Sequence, residues 1–133
     1  MTRFCIDPAT LLHLARSGER PHPSHQLVAP GSLRSQALAL LLPLAASGEV
    51  DDREVLDLHV PITEIKVRLL GDRVSRRVAW QLAREHGFTE LRVAEYLAVT
   101  RLQADVLVTS DPEIAAAADG VVPTAPLAAL LSA

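Results

Sequence analysis

Asp105-Val106-Leu107-Val108-Thr109-Ser110-Asp111-Pro112 is a β-branched apolar run that ends in Asp-Pro and passes into Glu113-Ile114 and four alanines, a stretch suited to a helix. The same design opens the chain. Phe4-Cys5-Ile6-Asp7-Pro8 is a second short apolar run closed by Asp-Pro, and Ala9 to Ala15 follows with Leu11, Leu12 and Leu14. Aspartate at an N-cap with proline at N1 starts a helix unaided, and the cap contributes about 0.5 to 2 kcal/mol. In a parallel sheet the two joints also place Asp7 and Asp111 at the carboxyl ends of strands, the edge where open α/β sheets bind ligands. If the strands are neighbours the two carboxylates converge. Like charges brought together call for a counter-charge, and a hard divalent cation such as Mg2+ or Mn2+ suits oxygen ligands.

Between these joints, Gln26 to Ala29 reads as a strand closed by Pro30-Gly31, after a Gly-, Pro- and Ser-containing loop over Ser17 to Ser24. A helix follows from near Ser32 to Gly48, apolar nearly all round and therefore expected to be buried, with a kink or early break at Pro43. Asp51 to His59 suits a short helix opened by acids, while Val60 to Leu70 is open between extended chain and helix. Asp72 or Ser75 caps a helix that Gly87 stops, and Thr89 or Glu90 begins another that buries Val93, Ala94, Leu97 and Ala98 and ends near Gln103. Val121-Val122 is expected as a last short strand before a helical tail. Strands alternating with helices predict a three-layer α/β/α fold with a central, mainly parallel sheet in a single domain spanning residues 1–133.

Composition narrows the function. The 133 residues are 49% hydrophobic and 22% charged, enough apolar material for a core and too much for a disordered chain. Aromatic residues amount to 3%, which excludes base-stacking platforms, so any RNA contact works through backbone and shape. The single Cys5 excludes an internal disulfide and a cysteine zinc site, and no basic leader or long apolar span is present, so a reduced cytoplasmic location without membrane contact is expected. His22 and His25 sit in a proline loop with no third ligand at metal spacing. The net charge of −3 conceals a reversal along the chain: acids dominate from Glu49 to Asp57, whereas Lys66, Arg68, Arg73, Arg76, Arg77 and Arg84 face only Asp72 from 66 to 84. That basic stretch is a candidate phosphate-binding edge.

Two blocks, Phe4-Cys5-Ile6-Asp7 with its helix and Ala94-Glu95-Tyr96-Leu97-Ala98-Val99-Thr100 leading to Ala104–Asp111, resemble the PIN-domain family and, within it, the VapC-type toxins of bacterial toxin and antitoxin pairs. The likeness runs over nearly the whole chain. It implies a PIN-like ribonuclease in which a cluster of acids holds Mg2+ or Mn2+ for phosphodiester cleavage, with Asp7 and Asp111 in the cluster and Thr109 as a supporting hydroxyl. It also implies that Arg68, Arg73, Arg76 and Arg77 hold RNA, that a cognate antitoxin peptide covers the same groove, and that the chain forms a homodimer, with Ala115–Ala118 and Leu127–Leu131 as the apolar stretches available for pairing.

The chain departs from the family pattern at two positions. Gln36 stands where the family has a glutamate, and Val93 where it has an aspartate three residues before the tyrosine. Glu95 is the nearest acid able to complete the site as catalytic residue and metal ligand, with Glu90 and Glu113 as further candidates. The competing expectation is a PIN-fold module that has lost its metal and acts by binding RNA or protein, and Gln36 and Val93 favour it.

Overall fold

The computed structural model describes residues 1–133. Strand β1 (Arg3–Ile6) runs into helix α1 (Pro8–Ser17), capped by the Asp7 carboxylate on the Thr10 N–H and ended by Gly18 in the left-handed region. Strand β2 (Gln26–Pro30) leads to α2 (Leu33–Ala39), α3 (Leu41–Ala46) and α4 (Asp52–Glu64). Strand β3 (Arg68–Leu70) is followed by α5 (Arg73–His86) and α6 (Leu91–Gln103), and β4 (Val106–Val108) by α7 (Pro112–Ala118) and α8 (Ala128–Leu131).

All four strands are parallel in the order β3-β2-β1-β4, with Cys5 opposite Val28 on one side and Leu107 on the other. The chain moves outward twice from β1 and then returns across it to β4. Right-handed crossovers therefore place α1 to α4 on one face and α5 and α6 on the other, giving the three layers expected. Helix α6 packs on β1, β2 and β4 and carries α5 outside it. Its length is almost wholly interior: Val93, Ala94 and Tyr96 to Thr100 are buried.

The break expected at Pro43 is realised at Leu40, an open stretch resolves, and one expected strand is absent. The helix from Ser32 to Gly48 is two helices joined at Leu40, because the Pro43 ring clashes with the carbonyl four residues earlier, at Ala39, and starting anew at Leu41 puts Pro43 in a first turn where no N–H is needed. The expected all-round burial fails with it, since Leu42 is 71% exposed. The open stretch 60–70 divides into the end of α4, which continues through Pro61, and the short β3. Val121-Val122 is not a strand; Thr124 makes a single parallel bridge to Leu107 instead. Of the apolar stretches expected to pair with a second copy, Ala118 and Leu130 lie in the core, and the most exposed large apolar side chains apart from Met1 are Leu42, Leu56 and Trp80 on other helices.

Cys5 sits in the central strand, fully buried, with its thiol 3.6 Å from the Tyr96 carbonyl oxygen. Burial pushes the thiol up to about 12, beyond what a hydrogen bond with Thr100 offsets. Thiolate reagents at pH 8 are therefore expected to label Cys5 only at the rate of global unfolding. The unfolded thiol ionises first, so this group's contribution to stability is present below about pH 9 and is lost as pH rises toward 12. Rapid labelling of the folded protein would contradict this placement.

Candidate functional site

The strand order reverses between β1 and β4, and the crevice at the carboxyl ends of such a pair is where doubly wound sheets bind ligands. Asp7 follows β1, and Thr109 and Asp111 follow β4. The Thr109 hydroxyl joins the two acids: it donates to Asp7 Oδ2 at 2.5 Å and accepts the Asp111 N–H at 3.0 Å. Asp7 has no solvent exposure, and its other oxygen accepts the Thr10 N–H at 2.8 Å. Asp111 Oδ1 accepts the Glu113 N–H at 2.8 Å, so each aspartate caps the helix that follows it.

The counter-charge is a residue that sequence reasoning did not single out. Arg92, in the first turn of α6, brings Nη1 to 3.6 Å from Asp111 Oδ2, Nε to 2.7 Å from Glu90 and Nη2 to 2.8 Å from Glu113. Partial burial opposes its charge, but the three carboxylates more than offset this and raise its pKa. Glu90 and Glu113, both further acid candidates, are thereby paired with arginine. An arginine beside the position where Val93 replaces an acid was the available signal, but its partner Glu113 lies 21 residues away and only the fold brings it near.

Gln36 and Tyr96 form the next part of the band. The Tyr96 hydroxyl donates to Gln36 Oε1 at 2.6 Å. Its pKa is driven upward by burial first and then by the fields of Cys5, Asp7 and Glu95, with Arg92 acting the other way, so the phenol stays protonated and serves as a donor. Beyond it lies a cleft of about 420 Å³ past the carboxyl ends of β2 and β3, lined by Ser32, Gln36, Ser75, Arg76 and Glu95 among others. Burial raises the Glu95 pKa, with Arg76 acting against that rise. The Ser32 hydroxyl in this cleft is buried with no partner.

The structure therefore brings Asp7, Thr109 and Asp111 together, joins Gln36 to Tyr96, and puts Gln36 and Glu95 on a separate cleft. Nowhere do three histidine, cysteine, aspartate or glutamate side chains gather at metal-ligand spacing. A magnesium or manganese centre built from three or four acids does not fit these residues. Val93 is buried in the core, and Asp111 already faces a guanidinium. The four arginines separate as well. Arg73, Arg76 and Arg77 are exposed on the first turns of α5, which follows the carboxyl end of β3, whereas Arg68 begins β3 and lines a different cavity at the amino edge.

Comparison with solved structures finds a similar fold in the crystal structure of PAE2754 from Pyrobaculum aerophilum, with a TM-score of 0.70 and 23% sequence identity over 98% of this chain and 94% of that one. The likeness is one of fold. No protein-family model and no curated protein matches the chain. No helix is long and apolar enough to cross a membrane.

Proposed function

We propose that this chain is a PIN-like domain of the VapC type that holds RNA backbone along the carboxyl edge of its sheet and has given up metal-dependent cleavage. The observation that carries this reading is Arg92, a partly exposed cation paired with Glu90, Asp111 and Glu113 in the region that the family resemblance assigns to metal. Arg73, Arg76 and Arg77 form no ion pair and are free to meet phosphates. With no aromatic platform available, recognition rests on charge and groove shape. A cognate antitoxin peptide in the same groove, a homodimer and a cytoplasmic location belong to this proposal.

A second reading, the Mg2+- or Mn2+-dependent endoribonuclease, is favoured by the Asp7–Thr109–Asp111 clasp at the switch point. Two measurements separate the readings. Single-stranded RNA binding, followed by fluorescence anisotropy, is expected to weaken with salt at a log–log slope of about −2 for three phosphate contacts, and each Arg→Ala change at 73, 76 or 77 should flatten it by about 0.7. RNA incubated with the protein and millimolar manganese should remain intact. Cleavage that Asp7→Asn or Glu95→Gln abolishes would replace the binding reading by the nuclease.

A further inference from the structure

A cavity of about 680 Å³ lies at the opposite edge of the sheet, by the amino ends of β2 and β3. Arg20, Lys66 and Arg68 line it with His22 and His25, against the single carboxylate of Glu64. Three permanent cations around one concavity are conspicuous in a chain of net charge −3. None of the three forms an ion pair. Arg20 is nevertheless fixed, because its Nη1 donates to the carbonyls of Leu14 and Glu19 at 2.8 Å, which leaves Nε and Nη2 without a protein acceptor.

The histidines add two features. His22 Nδ1 accepts the Ser24 N–H at 3.1 Å, so in the neutral ring Nε2 carries the proton and is a further donor. His25 Nε2 lies 2.5 Å from the Ser132 carbonyl, which can only accept, so Nε2 is the donor and Nδ1 is left as an acceptor. That Nδ1 is buried and has no partner. A phosphomonoester, with a second pKa of about 6, presents several acceptor oxygens and up to two negative charges to the cations.

We infer that this cavity is a binding site for a small organic phosphate of mononucleotide size, separate from the proposed RNA edge. The volume exceeds what a bare phosphate fills and falls in the range of small-molecule sites, roughly 300 to 1,000 Å³. Ile65, Leu27 and Val67 supply an apolar wall for the organic part. Guanidinium and ammonium groups lining one cavity without carboxylate partners are the recognition chemistry of a phosphate rather than of a neutral metabolite.

Isothermal titration with AMP, inorganic phosphate and adenosine tests the inference on the intact chain. AMP should bind saturably, inorganic phosphate more weakly and adenosine undetectably. The double variant Lys66→Ala/Arg68→Ala, both exposed positions, should retain the wild-type melting temperature and weaken AMP binding at least about tenfold. If that variant fails to fold, Lys66→Gln alone serves, with a smaller loss expected. Absence of AMP binding up to about 10 mM, or binding indifferent to these substitutions, overturns the site. Loss of RNA affinity in the double variant with no AMP binding would overturn it too, and assign the basic cavity to the nucleic acid.

Discussion

Replacing Asp7 by alanine is expected to remove about 3 kcal/mol of stability, while asparagine at the same position keeps most of it. Asp7 is fully buried and both its oxygens are engaged, one by the Thr10 N–H and the other by the Thr109 hydroxyl. Alanine removes an N-cap worth about 0.5 to 2 kcal/mol and leaves the Thr109 hydroxyl only the longer contact to the Asp111 carbonyl at 3.3 Å, at a further cost of about 1 kcal/mol or more. Asparagine still caps the helix through its carbonyl, and its amide can donate to the Thr109 oxygen. Urea denaturation should show the midpoint fall for alanine with an unchanged m-value. The cycle that adds Thr109→Val should give a coupling of about 1 kcal/mol or more. An alanine variant as stable as the parent would mean that the clasp contributes nothing and that Asp7 is held only by packing.

The second large effect concerns Arg92. Its removal frees Glu90, Asp111 and Glu113, which do not gather at metal-ligand spacing while each faces the guanidinium, to turn toward one another. Each exposed pair contributes at most about 1 kcal/mol, so Arg92→Ala should unfold only slightly more readily than the parent in the absence of metal. Manganese is then expected to stabilise the variant by about 2.7 kcal/mol when present at roughly 100 times its dissociation constant, and to leave the parent unchanged. Thermal melts with and without manganese measure the difference directly, and adding Glu113→Gln to the variant should diminish the shift. Equal stabilisation of the parent would show that the guanidinium does not stand in for a metal, and the nuclease reading would then take precedence.

Much of this architecture was readable in the chain because it depends on local patterns. The two apolar–Asp–Pro joints are found as β1 to α1 and β4 to α7, with both aspartates at their caps. Asp72 and Gly87 bound α5 as their capping chemistry requires. The errors occurred where neighbours in space decide. Val121-Val122 has strand composition, yet Val122 is drawn into the core and the bridge to Leu107 falls at Thr124. The stretch from Val60 to Leu70, open in the sequence, is settled by burial: α4 continues through Pro61 because Leu58 and Ile62 are anchored in the core and the Ile65 N–H still reaches the Pro61 carbonyl. Glu95 is one residue from Tyr96 in sequence, yet no contact joins it to Asp7 or Asp111, because the helix turns it toward Arg76 and the cleft.

From the sequence alone came the alternation of strands and helices, the caps, the parallel three-layer class and the position of Asp7 and Asp111 at the carboxyl ends of their strands, since backbone sterics, side-chain capping and apolar periodicity act over a few residues. Only the tertiary structure decided the balance of charge around those aspartates. The strand order carries Glu113 to within 2.8 Å of Arg92 and leaves Val93 inside the core, so an arginine faces the acids that follow β4. It also places Arg68 and Arg76 at opposite edges of one sheet, although only eight positions separate them in the chain, because β3 and the turn after it run from one edge to the other. Charges interact through space, and spacing along a chain does not measure that distance.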